Sequence, residues 1–111
     1  MKLSELAEKL SLKIASHTEG MNGNITGAYS SDLLSDVMAN SKVGNVWITL
    51  QTHINIVAVA SLKGLAGIII VGNRQPQPET IEKAEAEKVT ILTTSHTAYE
   101  TAGQIYQILS T

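Results

Sequence analysis

The chain has 111 residues, 43% of them hydrophobic, and a formal net charge of −2 from 8 basic and 10 acidic side chains. That length suits one hydrophobic core and is too short for a catalytic domain joined to a separate regulatory one. No cysteine is present, which excludes disulfides, thiolate metal sites and a cysteine nucleophile, and no basic stripe of the kind that grips nucleic acid is visible.

Leu3, Leu6, Ala7 and Leu10 recur at helical spacing between Lys2, Glu5, Glu8 and Lys9, so the chain is expected to open on an amphipathic helix. This segment is too charged for a signal peptide, and no apolar run approaches the roughly 20 residues that span a bilayer. A cytoplasmic protein without membrane attachment is expected. Residues 16–24 hold two glycines and two asparagines and read as a loop. Ile25 to Tyr29 forms a short strand candidate. Ser30 and Ser31 suit a helix start, with Asp32 in the first turn. Leu33, Leu34, Val37 and Met38 then supply an apolar face, which Asn40 and Gly44 end.

Val46 to Leu50 reads as a strand holding the single tryptophan, Trp47, as core or interface. Thr52 suits a cap for a helix from His53 to Leu62, stopped at Lys63-Gly64. The unbroken apolar run from Gly67 to Val71 is expected of a central parallel strand, and Gly72-Asn73-Arg74 of a turn. Pro78 suits the first position of a charged helix ending near Lys88. Val89 to Thr93 gives a fourth strand. Thr97 and Glu100 form a capping box at the head of a final amphipathic helix carrying Ala98, Ala102, Ile105, Ile108 and Leu109. Strands alternating with helices predict an α/β fold: a small, mainly parallel four-stranded sheet sandwiched by helices, in one domain over residues 1–111.

In an open parallel sheet, ligands bind beyond the carboxyl ends of the strands. The predicted loops there contribute Ser30 and Ser31 after the first strand, Gln51, Thr52 and His53 after the second, Gly72, Asn73 and Arg74 after the third, and Thr94, Ser95, His96 and Thr97 after the fourth. This rim is rich in hydroxyls and gathers helix N-termini, whose free N–H groups favour anions. Arg74 can pair with a phosphate or carboxylate, and His53 and His96 can donate hydrogen bonds to one. The same residue types serve as helix caps, which is all that Ser31, Thr52 and Thr97 need to do. Three scattered histidines with no carboxylate at ligand spacing do not suggest a metal site. G-x-x-x-x-G-K-[ST], G-x-G-x-x-G and G-x-S-x-G are all absent, and no Ser-His-Asp set assembles, so neither a catalytic residue nor a cofactor is assigned.

Two segments carry a resemblance: Val46-Trp47-Ile48-Thr49-Leu50-Gln51-Thr52-His53-Ile54-Asn55-Ile56, and Leu65-Ala66-Gly67-Ile68-Ile69-Ile70-Val71-Gly72-Asn73 with the following Arg74-Gln75-Pro76-Gln77-Pro78. With Gly27-Ala28-Tyr29-Ser30 upstream and Val89 to Thr94 plus Thr97 to Ala102 downstream, they resemble the DRTGG domain over nearly the whole chain. The Asp-Arg pair of the family's name corresponds to Thr52 and His53, and its Thr-Gly-Gly to Val71, Gly72 and Asn73. The chain looks closest to a stand-alone subgroup that is similar to the N-terminal domain of HPr kinase and often encoded near iron-only hydrogenase genes. The nucleotide loop of that kinase lies in a domain with no counterpart here, so a serine kinase activity does not transfer. The resemblance implies a dimerising βα sandwich, and fused family members, among them some pyrophosphatases and phosphotransacetylases, use it for regulation or contact. The expected function is therefore a non-catalytic regulatory or interaction module, homodimeric and linked to a metabolic or hydrogenase/redox enzyme. The alternative is a small-ligand sensor that binds an adenine nucleotide or other phosphate-bearing metabolite at the rim.

Overall fold

Burial of a sheet on both faces leaves its strands little room for polar residues, and the central strands obey that constraint. The computed structural model describes residues 1–110. Helix α1 (Leu3–Leu10) leads into strand β1 (Lys13–Ser16) and a single 3-10 turn (Thr18–Asn22). Four strand–helix units follow: β2 (Gly27–Ser30) with α2 (Leu34–Asn40), β3 (Asn45–Thr49) with α3 (Asn55–Lys63), β4 (Gly67–Ile70) with α4 (Pro78–Glu87), and β5 (Ile91–Thr93) with α5 (Ala98–Leu109). The sheet order is β1-β5-β4-β3-β2, with β2 to β5 parallel and β1 antiparallel to β5.

The expected α/β sandwich is present with one strand more than the sequence suggests. β1 lies between the first helix and the loop expected from the sequence, and overlaps that loop only at Ser16. Its Lys13 and Ile14 are both exposed, so it lacks the alternation that announces a half-buried strand. It pairs with residues about eighty positions away, Lys13 with Thr93 and Ile14 with Leu92, and a bulge between Ile14 and Ser16 shifts the register before the last pair, Ser16 with Ile91.

Alternate side chains of each central strand enter opposite cores, as the pleat requires. Trp47, Ile68, Ile70 and Ile91 pack with Val37 of α2, Ile56, Val57 and Ala60 of α3, and Ala84 of α4. Val46, Ile48, Ile69 and Leu92 pack on the other face with Leu3, Leu6 and Leu10 of α1 and Ile105 of α5. The crossover helices α2, α3 and α4 thus share one face, and α1 and α5 share the other. Trp47 is fully buried, and its indole N–H donates to the Ser31 carbonyl at 2.8 Å. It is a core residue.

Two of the expected helix starts hold: Pro78 opens α4, and Thr97 caps α5 by accepting from the Glu100 N–H at 3.1 Å. Two do not. No side chain caps α2, which begins after Leu33, and the Ser31 hydroxyl instead accepts from the Leu33 N–H at 3.1 Å in a turn ahead of the helix. Thr52 does not cap α3, which begins at Asn55. Its carbonyl accepts from the Thr80 hydroxyl at 2.8 Å and the Gln77 N–H at 3.3 Å, so the segment is drawn towards α4 before it turns helical.

One buried side-chain atom among the described residues lacks a partner, the hydroxyl of Thr101 on the inner side of α5. A buried hydroxyl that loses its water hydrogen bonds costs about 1–3 kcal/mol, and valine matches threonine in shape. Thr101→Val should therefore leave stability unchanged or raise it by up to about 1 kcal/mol; a clear fall in the urea midpoint would show that the hydroxyl has a partner in solution.

Candidate functional site

A crevice opens in a parallel sheet where neighbouring strands send their following loops to opposite faces. β2, β3 and β4 all lead to helices on one face, whereas β5 leads to α5 on the other. The β4 and β5 loops therefore part company, and the fold places its crevice beyond the ends of these two strands. A pocket of about 290 Å³ lies there. Asn73 and Gln75 border it from the β4 loop, and Thr93, Thr94, Ser95 and His96 from β5 and its loop. Lys9, Leu10 and Ser11 border it from the end of α1, Lys13 from β1, and Gln104 from α5.

The two loops are stitched at the base of the crevice. The Gly72 N–H donates to the His96 carbonyl at 2.7 Å, and the Asn73 N–H to the Thr94 carbonyl at 3.0 Å. This requires left-handed backbone at both Gly72 (φ 73°) and Asn73 (φ 60°), a conformation that glycine and asparagine tolerate best. The His96 N–H donates to the Thr94 hydroxyl at 3.2 Å, which fixes the β5 loop from within. Ser11, also left-handed (φ 54°), ends α1: its N–H and that of Leu12 donate back to α1 carbonyls, and the chain turns at once into β1. That reversal brings Lys9 and Lys13 to the same opening. Neither lysine has an ion-pair partner among the described residues. In a chain of net negative charge, the crevice is thus bordered by two ammonium groups and no carboxylate.

The rim residues named from sequence divide into groups. Asn73, Thr94, Ser95 and His96 border the crevice, while Gly72 and Thr97 shape it from behind through the stitch and the α5 cap. Arg74 is exposed in the same loop, without a partner among the described residues and outside the crevice lining. Ser30 lies at the far edge, in a hollow between β2 and α5. Ser31 is engaged next to the core, its hydroxyl accepting from the Leu33 N–H and its carbonyl from the Trp47 indole, and Gln51 belongs to a latch built around Asp32. One Asp32 carboxylate oxygen accepts from the Thr49 hydroxyl at 2.8 Å and the Leu50 N–H at 2.7 Å, and the Gln51 side-chain amide donates to the Asp32 carbonyl at 2.9 Å. Thr52 is half-buried and tied to α4, and His53 is exposed beside it. Sequence reasoning missed Lys9, Ser11, Lys13, Gln75 and Gln104. Recognising β1 as an antiparallel edge strand would have brought Lys13 to the carboxyl rim.

Two carboxyls are held below their usual range. The Tyr29 hydroxyl, at 2.8 Å, is the main cause at Asp36, with Ser31 and Asn40 adding to it. The backbone N–H of Thr97, at 3.0 Å, leads at Glu100, followed by the Thr97 hydroxyl and the nearby charge of His96. Among the described residues, no group of three His, Asp or Glu side chains is placed to hold a metal ion, and no helix is long and apolar enough to cross a membrane.

The latch yields one expectation. Asp32→Ala removes the acceptor of the O–H of Thr49, a residue 1% exposed, and of the Leu50 N–H, and should cost about 1–3 kcal/mol in urea unfolding; an unchanged midpoint would mean that water replaces the carboxylate. The lowered carboxyls yield another. Because they ionise more readily folded than unfolded, their stabilisation is complete above the unfolded carboxyl range near about pH 4 and is lost as pH falls through the lower folded values. Glu100→Gln should destabilise the protein at pH 7 and shrink the difference from wild type in acid, read from urea midpoints at each pH; a difference that holds constant down the titration would rule this linkage out.

Comparison with known proteins bears on the same features. The DRTGG domain profile matches residues 5–108. Comparison with curated proteins returns no match. Among solved structures, the chain is similar to the CBS and DRTGG domains of the regulatory region of Clostridium perfringens pyrophosphatase, complexed with its activator diadenosine tetraphosphate. The TM-score is 0.77 at 19% identity, and the match covers 96% of this chain but 46% of that one, so the chain spans just under half of its neighbour. With the profile covering nearly every residue and the fold agreeing, the chain belongs to the DRTGG domain family.

Proposed function

We propose that residues 1–111 form one non-catalytic regulatory module, cytoplasmic and homodimeric, that acts by contact on a metabolic or redox enzyme such as a hydrogenase system. The observation that carries this reading is the outer face of α5. Tyr99 and Tyr106 are 90% and 77% exposed. They lie seven residues apart and so fall on one stripe of the helix. Gly103 sits between them, and nothing lies within 4 Å of where its side chain would begin, so a partner can approach the backbone there. The stripe borders a mainly apolar hollow of about 340 Å³ between α5 and the free edge of β2, with Ala28, Ile48, Ala102 and Leu109 in its lining. A two-fold contact suits such a surface, because each Tyr106 ring can enter the hollow of the other copy. Large exposed aromatics around a small residue are the usual anchors of protein contacts. Tyr106→Glu, at an exposed site, should leave the circular dichroism spectrum intact and convert a dimer to a monomer in sedimentation equilibrium. A wild-type protein that stays monomeric as its concentration is raised would remove the homodimer, and native extract that yields no enzyme on the immobilised protein would remove the partner.

The crevice favours a second reading, a sensor for an adenine nucleotide or other phosphate-bearing metabolite. Its support is the coincidence of the diverging β4 and β5 loops with a pocket bordered by two lysines that have no ion-pair partner among the described residues. The relative's regulatory region binds an adenine-nucleotide activator. The two readings are compatible, since α5 reaches both surfaces. It begins just beyond Ser95 and His96 at the crevice and carries Tyr99 and Tyr106 along its outer side.

A further inference from the structure

We infer that the crevice is a phosphoryl site whose charge comes from the N-terminal arm: Lys9 and Lys13 hold the phosphate of a small phosphate monoester, and Ser95 and Asn73 orient it. This rests on the sensor reading and gives that site its residues and its ligand class.

The charge is concentrated where anion chemistry needs it. Lys9 closes the last turn of α1 and Lys13 opens β1, and only the left-handed turn at Ser11 lets residues this close in sequence converge on one opening. Both side chains are exposed and, among the described residues, without an ion-pair partner, so an anion meets two ammonium groups at one opening. The remaining polar lining from Ser95, Asn73 and Gln104 offers hydroxyl and amide donors, which suit the several acceptor oxygens of a phosphoryl group.

Other anion positions in the fold are already occupied or open to solvent. The first turn of α5 is filled by the Glu100 carboxylate, which accepts from the Thr97 N–H. The N–H groups of Gly72 and Asn73 are spent on the stitch between the loops. Arg74 lies outside the lining, which removes it from the contact this ligand makes.

Size narrows the class. Pockets for drug-sized ligands run from roughly 300 to 1,000 Å³, and this one is about 290 Å³. It accommodates a phosphoryl group with one sugar- or metabolite-sized body.

The test is titration of inorganic phosphate, AMP and adenosine into the full, isotope-labelled chain, with amide shifts read residue by residue. Phosphate and AMP should saturate one site and move the amides of Ser11, Lys13, Ser95 and His96, and adenosine should not. A charge-assisted hydrogen bond is worth about tenfold or more in affinity, so Lys13→Ala and Lys9→Ala should each weaken AMP binding about tenfold, while Arg74→Ala stays within about twofold. Both lysines are exposed, so these variants keep the core intact, and the unchanged remainder of the amide spectrum verifies it. If Arg74→Ala abolishes binding and the lysine variants do not, the phosphoryl site proposed here is wrong while the sensor reading survives at another part of the rim. Shifts that never saturate and spread over lysines elsewhere overturn this site, and no response to phosphate or AMP overturns this site together with the sensor reading on which it rests.

Discussion

The structure depends on one topological constraint: β5 is the strand after which the chain changes face. Three crossovers on one side of the sheet generate a compact layer, but they also exhaust that side. The next helix must pack on the opposite core, where Ile105 joins Leu3, Leu6 and Leu10. The change of face separates the β4 and β5 loops, and the separation makes the crevice. The crevice in this architecture is thus placed by the order of the strands before any side chain is chosen.

The two edges of the sheet meet different chemistry. At one, β1 runs against the grain of its neighbours and covers the flank of β5, which brings the arm's lysines to the carboxyl rim. At the other, β2 is four residues long, pairs only with β3, and leaves its outer side facing the hollow under α5. Short edge strands limit indiscriminate pairing, and the polar latch at the end of β3 pins the loop that follows. Asp32 does there what a helix cap would do elsewhere, satisfying the Thr49 hydroxyl and the Leu50 N–H at the point where the strand stops.

Much of this was legible in the sequence, for reasons that differ by element. β3 and β4 announce themselves because both their faces are covered, so nearly every residue from Val46 to Ile48 and from Ile68 to Val71 is apolar. The head of α5 is readable because the Thr97–Glu100 box is a purely local arrangement of four residues. β1 is not readable, since its pairing is long-range and its exposed Ile14 breaks the pattern. The candidate site splits the same way. Asn73, Thr94, Ser95 and His96 follow from knowing where parallel strands end. Lys9, Ser11, Lys13 and Gln104 arrive from elements whose position only tertiary structure fixes. Arg74 drew notice as a lone guanidinium in a rim loop, but charge type does not disclose which way a loop leaves the sheet. Thr52 was legible as a residue suited to capping, and tertiary hydrogen bonding to α4 overrode that local preference.

The distribution of aromatic rings gives the domain two separate optical reporters. Trp47 is buried on the α2–α4 side, clamped to the Ser31 carbonyl, while Tyr99 and Tyr106 stand in solvent on the α5 side. Indole emission therefore follows the integrity of one core and is shielded from the crevice and from the α5 surface by the full thickness of the sheet. Two of the three phenols report on the opposite surface, and the third, Tyr29, packs on the Trp47 side and bonds Asp36. With no phenylalanine and a single tryptophan in the chain, global unfolding and events on α5 can be watched in the same cuvette at different wavelengths.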